Sequence, residues 1–372
     1  SVSDDGTQIT FNIRPGVKWS DGVPFTTEDI LFFWNDLVLN EDVTVPLSNW
    51  WQAGGELPTI EAEDEYTFTI TFAPPNPLFV LAQAHPNQWE LTGIPKHYLS
   101  QFHIDYNPDA DQLAEAAGFE TWAAHLNSMM DGNGYFSDAD WPVLWAWKLS
   151  NAYGDATSLL IAERNPYYFK VDQDGNQLPY IDQWTYEIMS DAEALLLKAL
   201  NGEIDMLSRH INTNANKSVL FDNQEAGNYY FIDLVSTGPG PGMISFNQTH
   251  KDPVKRDIFS NKDFRIAMSH AINRQEVIDT IFIGQGEPFQ AALMPSSPFY
   301  DEEFAKQYTA YDPDLANELL DSIGLEQRDE AGFRLMPNGE RLQVSVNASV
   351  ARQDWVDITE LVKVYWDAVG VE

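Results

Sequence analysis

Cysteine is absent from the 372 residues, which excludes disulfides, zinc–thiolate sites and a thiol nucleophile. Cations are scarce as well: 21 Lys and Arg stand against 57 Asp and Glu, a formal net charge of −36. Such a chain repels phosphate backbones and anionic headgroups, so nucleic acid is not an expected partner. The charge reads as a strongly solvated surface, with a site for cationic ligands as the alternative. Long apolar runs are missing; none approaches the ~20 residues that cross a bilayer. The seven His are scattered without HExxH spacing, and no Gly-x-Ser-x-Gly elbow stands out, so no metal or cofactor is expected. There is no starting Met, charged n-region or signal core, and any export signal or lipid anchor is expected outside the chain.

What is present suffices for packed cores. Hydrophobic residues make up 44% and aromatics 13%, and the length exceeds the ~250–300 residues at which one core stops growing. At least two domains are expected. Ile9, Phe11 and Ile13 alternate with polar residues, the period of a half-buried strand. Thr26 with Asp29 forms a capping-box pattern, followed by Ile30, Phe33, Trp34, Leu37 and Val38 at helical spacing. Phe68, Ile70 and Phe72 alternate with threonines in a second strand, paired in a hairpin with residues 59–63. Residues 78–130 read as mostly helical, and a Gly/Asp/Asn-rich loop at 131–140 as a boundary.

Strands are then expected at 158–163, 184–189, 229–235, 243–247 and 342–346. Helices are expected after Asp191 and Asn261, over 274–283, over 312–323 and over 354–369. This alternation argues for α/β packing on mixed sheets. Thr237-Gly238-Pro239-Gly240-Pro241-Gly242 is the expected hinge, with Gly238, Gly240 and Gly242 as its pivots. Its prolines lack amide donors and no Lys follows, so it is not a phosphate loop. Asp172, Asp174 and Asn176 read as a plain turn, since Gly175 is misplaced for an EF-hand.

Several runs carry a family resemblance. Ile9-Thr10-Phe11-Asn12-Ile13-Arg14-Pro15-Gly16-Val17-Lys18-Trp19-Ser20-Asp21-Gly22 resembles the signature of family 5 extracellular solute-binding proteins. These are oligopeptide, dipeptide, nickel and oligosaccharide receptors of ABC importers. Asn165-Pro166-Tyr167-Tyr168-Phe169, Leu200-Asn201-Gly202-Glu203-Ile204-Asp205, Ser245-Phe246-Asn247 and Phe264-Arg265-Ile266-Ala267 follow in the family's order. The resemblance implies an α/β, periplasmic-binding-protein-like two-lobed fold of type II, with an extra subdomain and helices flanking mixed sheets. It places that subdomain at 1–150, a partial first-lobe core at 151–237, the hinge at 238–247 and an incomplete second lobe at 248–372. It also implies an extracytoplasmic, monomeric receptor, in the periplasm or as a cell-surface lipoprotein. Its partners would be a short peptide ligand, or alternatively a β-linked oligosaccharide, and ABC permease subunits in the membrane. The chain opens inside the Asp4-Asp5-Gly6 turn and its last helix stops at Gly370, so a fragment truncated at both ends is expected.

Flat indoles stack on sugars and give rigid contact to peptide side chains. The ligand-contact candidates are therefore Trp50 and Trp51, in a Gly- and Pro-flanked segment, with Trp145 and Trp147 next to the boundary loop. For any one of them core packing is the commoner fate; Trp34, on the helical stripe, is core. Phe246 and Asn247 follow the hinge, and the Asn amide can both donate and accept. Arg209, at a loop start beside His210, is the candidate for a ligand carboxylate. A secreted glycoside hydrolase is the distant alternative, but it needs two carboxylates across a cleft and no motif selects a pair. Catalysis is not expected.

Overall fold

The computed structural model describes every residue except 46, 86–88, 131–133, 155–157, 235–237, 239, 241 and 350–351. Part of the boundary loop and Thr237, Pro239 and Pro241 of the expected hinge thus lie outside the described residues. The chain divides into two compact units, Ser1–Ser190 and Asp191–Glu372. Residues 191–237, expected to belong with the preceding segment, are grouped with the second unit. Asn214 Nδ2 donates to Ile281 O and Lys217 Nζ to Gln285 Oε1, which ties that stretch to later residues.

In the first unit, β1 (Gln8–Asn12) is followed by α1 (Thr27–Leu31), β2 (Thr59–Ala62) and β3 (Thr67–Thr71). The sheet order is β1-β3-β2, all antiparallel, with Ile9 opposite Ile70 and Phe11 opposite Phe68. The expected capping box forms: Thr26 Oγ1 accepts from Glu28 N, and Asp29 Oδ2 accepts from Thr26 N at 3.0 Å. Asp29 Oδ1 also accepts from Lys96 N, and burial raises its pKa. The helix after α1 departs from expectation by widening into a π-helix over Phe32–Val38. Phe32, Phe33, Trp34 and Leu37 are all buried, and three consecutive large rings cannot share the narrow face of an α-helix.

The 78–130 stretch forms α2 (Phe79–Gln83), α3 (Lys96–Leu99), α4 (Ala110–Ala116) and α5 (Trp122–Met130). After α6 (Gly134–Ser137) comes a second antiparallel sheet, β4 (Trp147–Leu149), β5 (Leu159–Arg164) and β6 (Gln183–Glu187), in that order.

The second unit is helical: α7 (Ala192–Leu200), α8 (Lys217–Asp222), α9 (Gln224–Gly227), α10 (Pro253–Ser260) and α11 (Lys262–His270). Then come α12 (Arg274–Ile281), α13 (Glu302–Lys306), α14 (Pro313–Ser322) and α15 (Gln353–Ala368). Asp191, Asp252, Asn261, Asp301 and Asp312 each cap the helix that follows with a side-chain oxygen. The strands expected at 229–235, 243–247 and 342–346 form no ladder among the described residues. Alternation selects a face, but a strand also requires a partner edge. Only 342–344 finds one, where Val344 N donates to Glu372 O and Glu372 N to Leu342 O.

The core of this unit sets Phe264, Ala267 and Met268 of α11 and Ala316 and Leu320 of α14 beside Val362 and Trp366 of α15. Arg334 is wholly buried in it. Its Nε donates to Val369 O at 2.8 Å, Nη1 to Leu325 O and Asp321 Oδ1, and Nη2 to Asn317 Oδ1. The guanidinium thus sits at the C-terminal ends of α14 and α15, where a cation is favoured. Arg334→Met leaves several buried acceptors unpaired and should cost the second unit about 3 kcal/mol or more. Faster hydrogen exchange along α15, with α1 unaffected, is the expected readout.

Candidate functional site

The signature run is built into the first unit's interior. Trp19 is fully buried, edge-on to Phe25. Trp19 N donates to Val23 O and Phe25 N to Val17 O, closing the turn around Asp21 and Gly22. Gly22 has φ +93°, and a Cβ there would lie 3.1 Å from the Tyr167 ring. Glycine is thus required twice, by conformation and by space. Ser20 exchanges bonds with Val143, accepting from its N–H and donating its own backbone N–H to its carbonyl, each at 3.0 Å. Asn165, also wholly buried, donates to Val143 O and Trp145 O and accepts from Tyr167 N. Two motifs far apart in sequence therefore clamp the same segment, 143–146.

The tryptophan candidates separate. Trp50 and Trp51 lie in one 3₁₀ turn, Asn49–Trp51, whose successive side chains point about 120° apart. Trp50 is 47% exposed. Trp51 is at 0%, stacked on Trp34 at 5.4 Å and edge-on to Phe79 at 5.0 Å. The expectation of a ligand contact at Trp51 is therefore corrected: the indole is core, and the aromatic packing around it holds it there.

Trp145 is half-buried, edge-on to Tyr135 at 4.4 Å. Trp147, in β4, donates its indole N–H to Ile181 O and meets Trp184 edge-on at 5.2 Å. Trp184 in turn stacks on Tyr186 at 5.2 Å with 13° between planes. The register puts all three rings on the face of the β4-β5-β6 sheet that carries Leu160 and Ala162. Tyr186 is 45% exposed, and partial burial raises its pKa. Trp184 and Tyr186 were not among the expected contacts; their i, i+2 spacing in a strand was the available signal.

In the second unit Phe246 packs inward, stacked on Trp366 at 5.7 Å and edge-on to Phe264 at 5.3 Å. Phe246 therefore anchors its segment to the core while remaining only partly buried. Asn247 is exposed, and its Oδ1 accepts from Thr249 N and Oγ1, both at 3.0 Å. Its carbonyl side is thus occupied by a local turn. Arg209 is exposed beside His210, which has φ +71°. Gly240 has φ +126°, while a Cβ on Gly242 would come 3.0 Å from Ile358 Cδ1 of α15.

The Asp172 loop is a turn held by its own side chain. Asp172 accepts from Tyr180 OH at 2.6 Å, from Asn176 Nδ2 and from the amides of Asp174 and Asn176. The Tyr180 bond leads, and together they lower the Asp172 pKa to about 2. No metal-ligating cluster of His, Asp or Glu occurs among the described residues, and none of their helices is long and apolar enough to cross a membrane.

Comparison with known proteins defines first a fold class, that of periplasmic binding proteins. The structure aligns over 100% of the chain with MelB of Agrobacterium fabrum C58 in complex with stachyose, at TM-score 0.71, 22% identity and 54% of that chain. It also aligns over its full length with an oligopeptide-binding protein OppA, at TM-score 0.65, 38% identity and 57% of that chain. In sequence it is 29% identical over 354 residues to the periplasmic alpha-galactoside-binding protein of Rhizobium meliloti (strain 1021), 91% of this chain and 47% of that one. The family model for bacterial extracellular solute-binding proteins, family 5 Middle, matches residues 1–372, and the chain belongs to this family. It spans about half the length of the curated relatives it matches.

Two outcomes follow from these placements. Trp51→Ala should lower stability by about 3–5 kcal/mol, whereas Trp50→Ala should stay within about 0.5 kcal/mol, both read from denaturant midpoints. For Asp172 the folded pKa lies below the ordinary ~3.9 of an aspartate. Its contribution is therefore complete above pH ~3.9 and is lost as pH falls toward 2. Carboxyl-carbon NMR should show Asp172 titrating last among the aspartates of its loop, and Tyr180→Phe should move it upward.

Proposed function

We propose that this chain forms part of an extracytoplasmic solute-binding protein that captures a short peptide and delivers it to an ABC importer. The carrying observation is the family match across all 372 residues. A 38% identical solved relative named for oligopeptide binding supports a peptide ligand. Peptide backbone would be held by strand edges and its side chains by tolerant aromatic surfaces. Catalysis has no part in this reading.

The residues proposed to meet ligand are Trp50, Trp145, Trp147, Trp184, Tyr186, Arg209, Phe246 and Asn247. Hinge bending is proposed at Gly238, Gly240 and Gly242, with closure presenting the loaded receptor to the permease. A monomer suits that role, and so does a periplasmic or cell-surface location.

A second reading, an oligosaccharide receptor, is favoured by the Trp147–Trp184–Tyr186 row, since flat rings stack on sugar faces. The sugar-binding relatives are named for an alpha-galactoside and for a stachyose complex, not for β-linked sugars. Calorimetry with di- to pentapeptides, stachyose-type and cellobiose-type sugars on the complete protein should show heat with peptides. Heat with sugars alone would replace the peptide reading by the second one. X-ray scattering at saturating ligand should show compaction, and an unchanged profile would remove the hinge.

A further inference from the structure

The first unit holds six cations, Arg14, Lys18, Lys96, Lys148, Arg164 and Lys170, against 28 carboxylates. Several of the six are committed to rings: Lys18 lies over Tyr167 at 5.5 Å, and Arg14 and Lys170 each lie 5.9 Å from the centre of the Phe169 ring. Lys96 pairs with Glu28 and Arg164 with Asp182. In the second unit the buried Arg334 and the largely buried Arg274 spend donors on backbone carbonyls. With 21 cations for 57 acids, carboxylates without a cation are in the majority. Glu61, Glu63, Asp64 and Glu65 crowd the β2–β3 hairpin, and Asp111, Glu115 and Glu120 line one shallow depression beside α4.

Two tyrosines are raised chiefly by burial, with neighbouring carboxylates adding to it. Tyr106 is pushed up to about 12, by burial first and then by Asp36, Asp105 and Glu28. Burial raises Tyr98, with Asp138 and Asp140 adding to it. Not every acid opposes folding: Asp191, Asp252, Asp301 and Asp312 cap helices and gain from the folded state. Asp172, and Glu28 and Glu203 beside their lysines, gain as well, whereas carboxylates without such partners lose by compaction, because unfolding lets like charges spread apart.

We infer that this protein is built for a saline medium: its folded state is opposed by its own surface charge, and dissolved salt supports it by screening. The Debye length falls from ~10 Å at 0.1 M to ~3 Å at 1 M, so repulsion between neighbouring carboxylates collapses across that interval. The effect needs charge in solution and no particular cation. It is independent of which ligand the protein takes.

The test is the thermal midpoint of the 372-residue chain at pH 7, from 0.1 to 2 M NaCl and KCl. Alongside runs a variant with the exposed carboxylates Glu41, Glu56, Glu61, Glu115, Glu318 and Glu326 changed to Gln, and a Glu→Asp control at the same six sites. The parent midpoint should rise by about 5 °C or more, mostly below 1 M and equally in both salts. The Gln variant should start higher and rise less, and the Asp control should follow the parent. Sucrose at matched osmolality should give the smaller rise, a comparison that holds even if a variant does not fold. A flat parent curve, a sucrose rise equal to that in salt, equal slopes in parent and Gln variant, or a response to one cation only would each overturn the inference.

Discussion

The second unit depends on one buried guanidinium. Arg334 takes up the carbonyl of Val369 behind α15, that of Leu325 behind α14, and the Asn317 side chain within α14. Its backbone continues the same task, with Arg334 N on Gly370 O and Leu342 N on Arg334 O. A buried charge without partners is costly, whereas here each donor direction meets an acceptor. Two helices that contribute Ala316, Leu320, Val362 and Trp366 to the apolar core are thereby locked at one end. Hydrophobic area alone would leave their relative register free to drift.

The first unit is organised differently, by the motif residues that carry the family resemblance. Trp19, Ser20, Gly22, Asn165 and Tyr167 form one interlocking joint around residues 143–146. Such a joint fixes the scaffold, so these residues act on the fold before they act on any ligand.

Much of the helical layout was legible because capping is local. The Thr26–Asp29 box and the Asn261 and Asp312 caps are written within four residues of where they act. Partnership was not legible. Residues 229–234 alternate like a strand, yet Tyr230, Ile232 and Leu234 stand 70% or more exposed with no ladder beside them. The opposite fates of Trp50 and Trp51 depend on Trp34 and Phe79, residues that no adjacent-pair pattern names. The packing of Phe246 is hidden for the same reason, since Trp366 lies 120 positions along the chain. Aromatic identity announces contact, and only the fold says with what.

The distribution of indoles has an optical consequence. Ten of the 12 tryptophans belong to Ser1–Ser190, and Trp34 and Trp51 lie 5.4 Å apart, close enough to exchange excitation. Intrinsic emission is therefore almost a single-unit signal. The second unit is visible only through Trp366, its N–H on Met268 O in a dry interior, and Trp355, which lies under the Arg352 guanidinium. The molecule thus carries two unequal native fluorophore sets, one numerous and crowded, the other of two indoles in unlike surroundings.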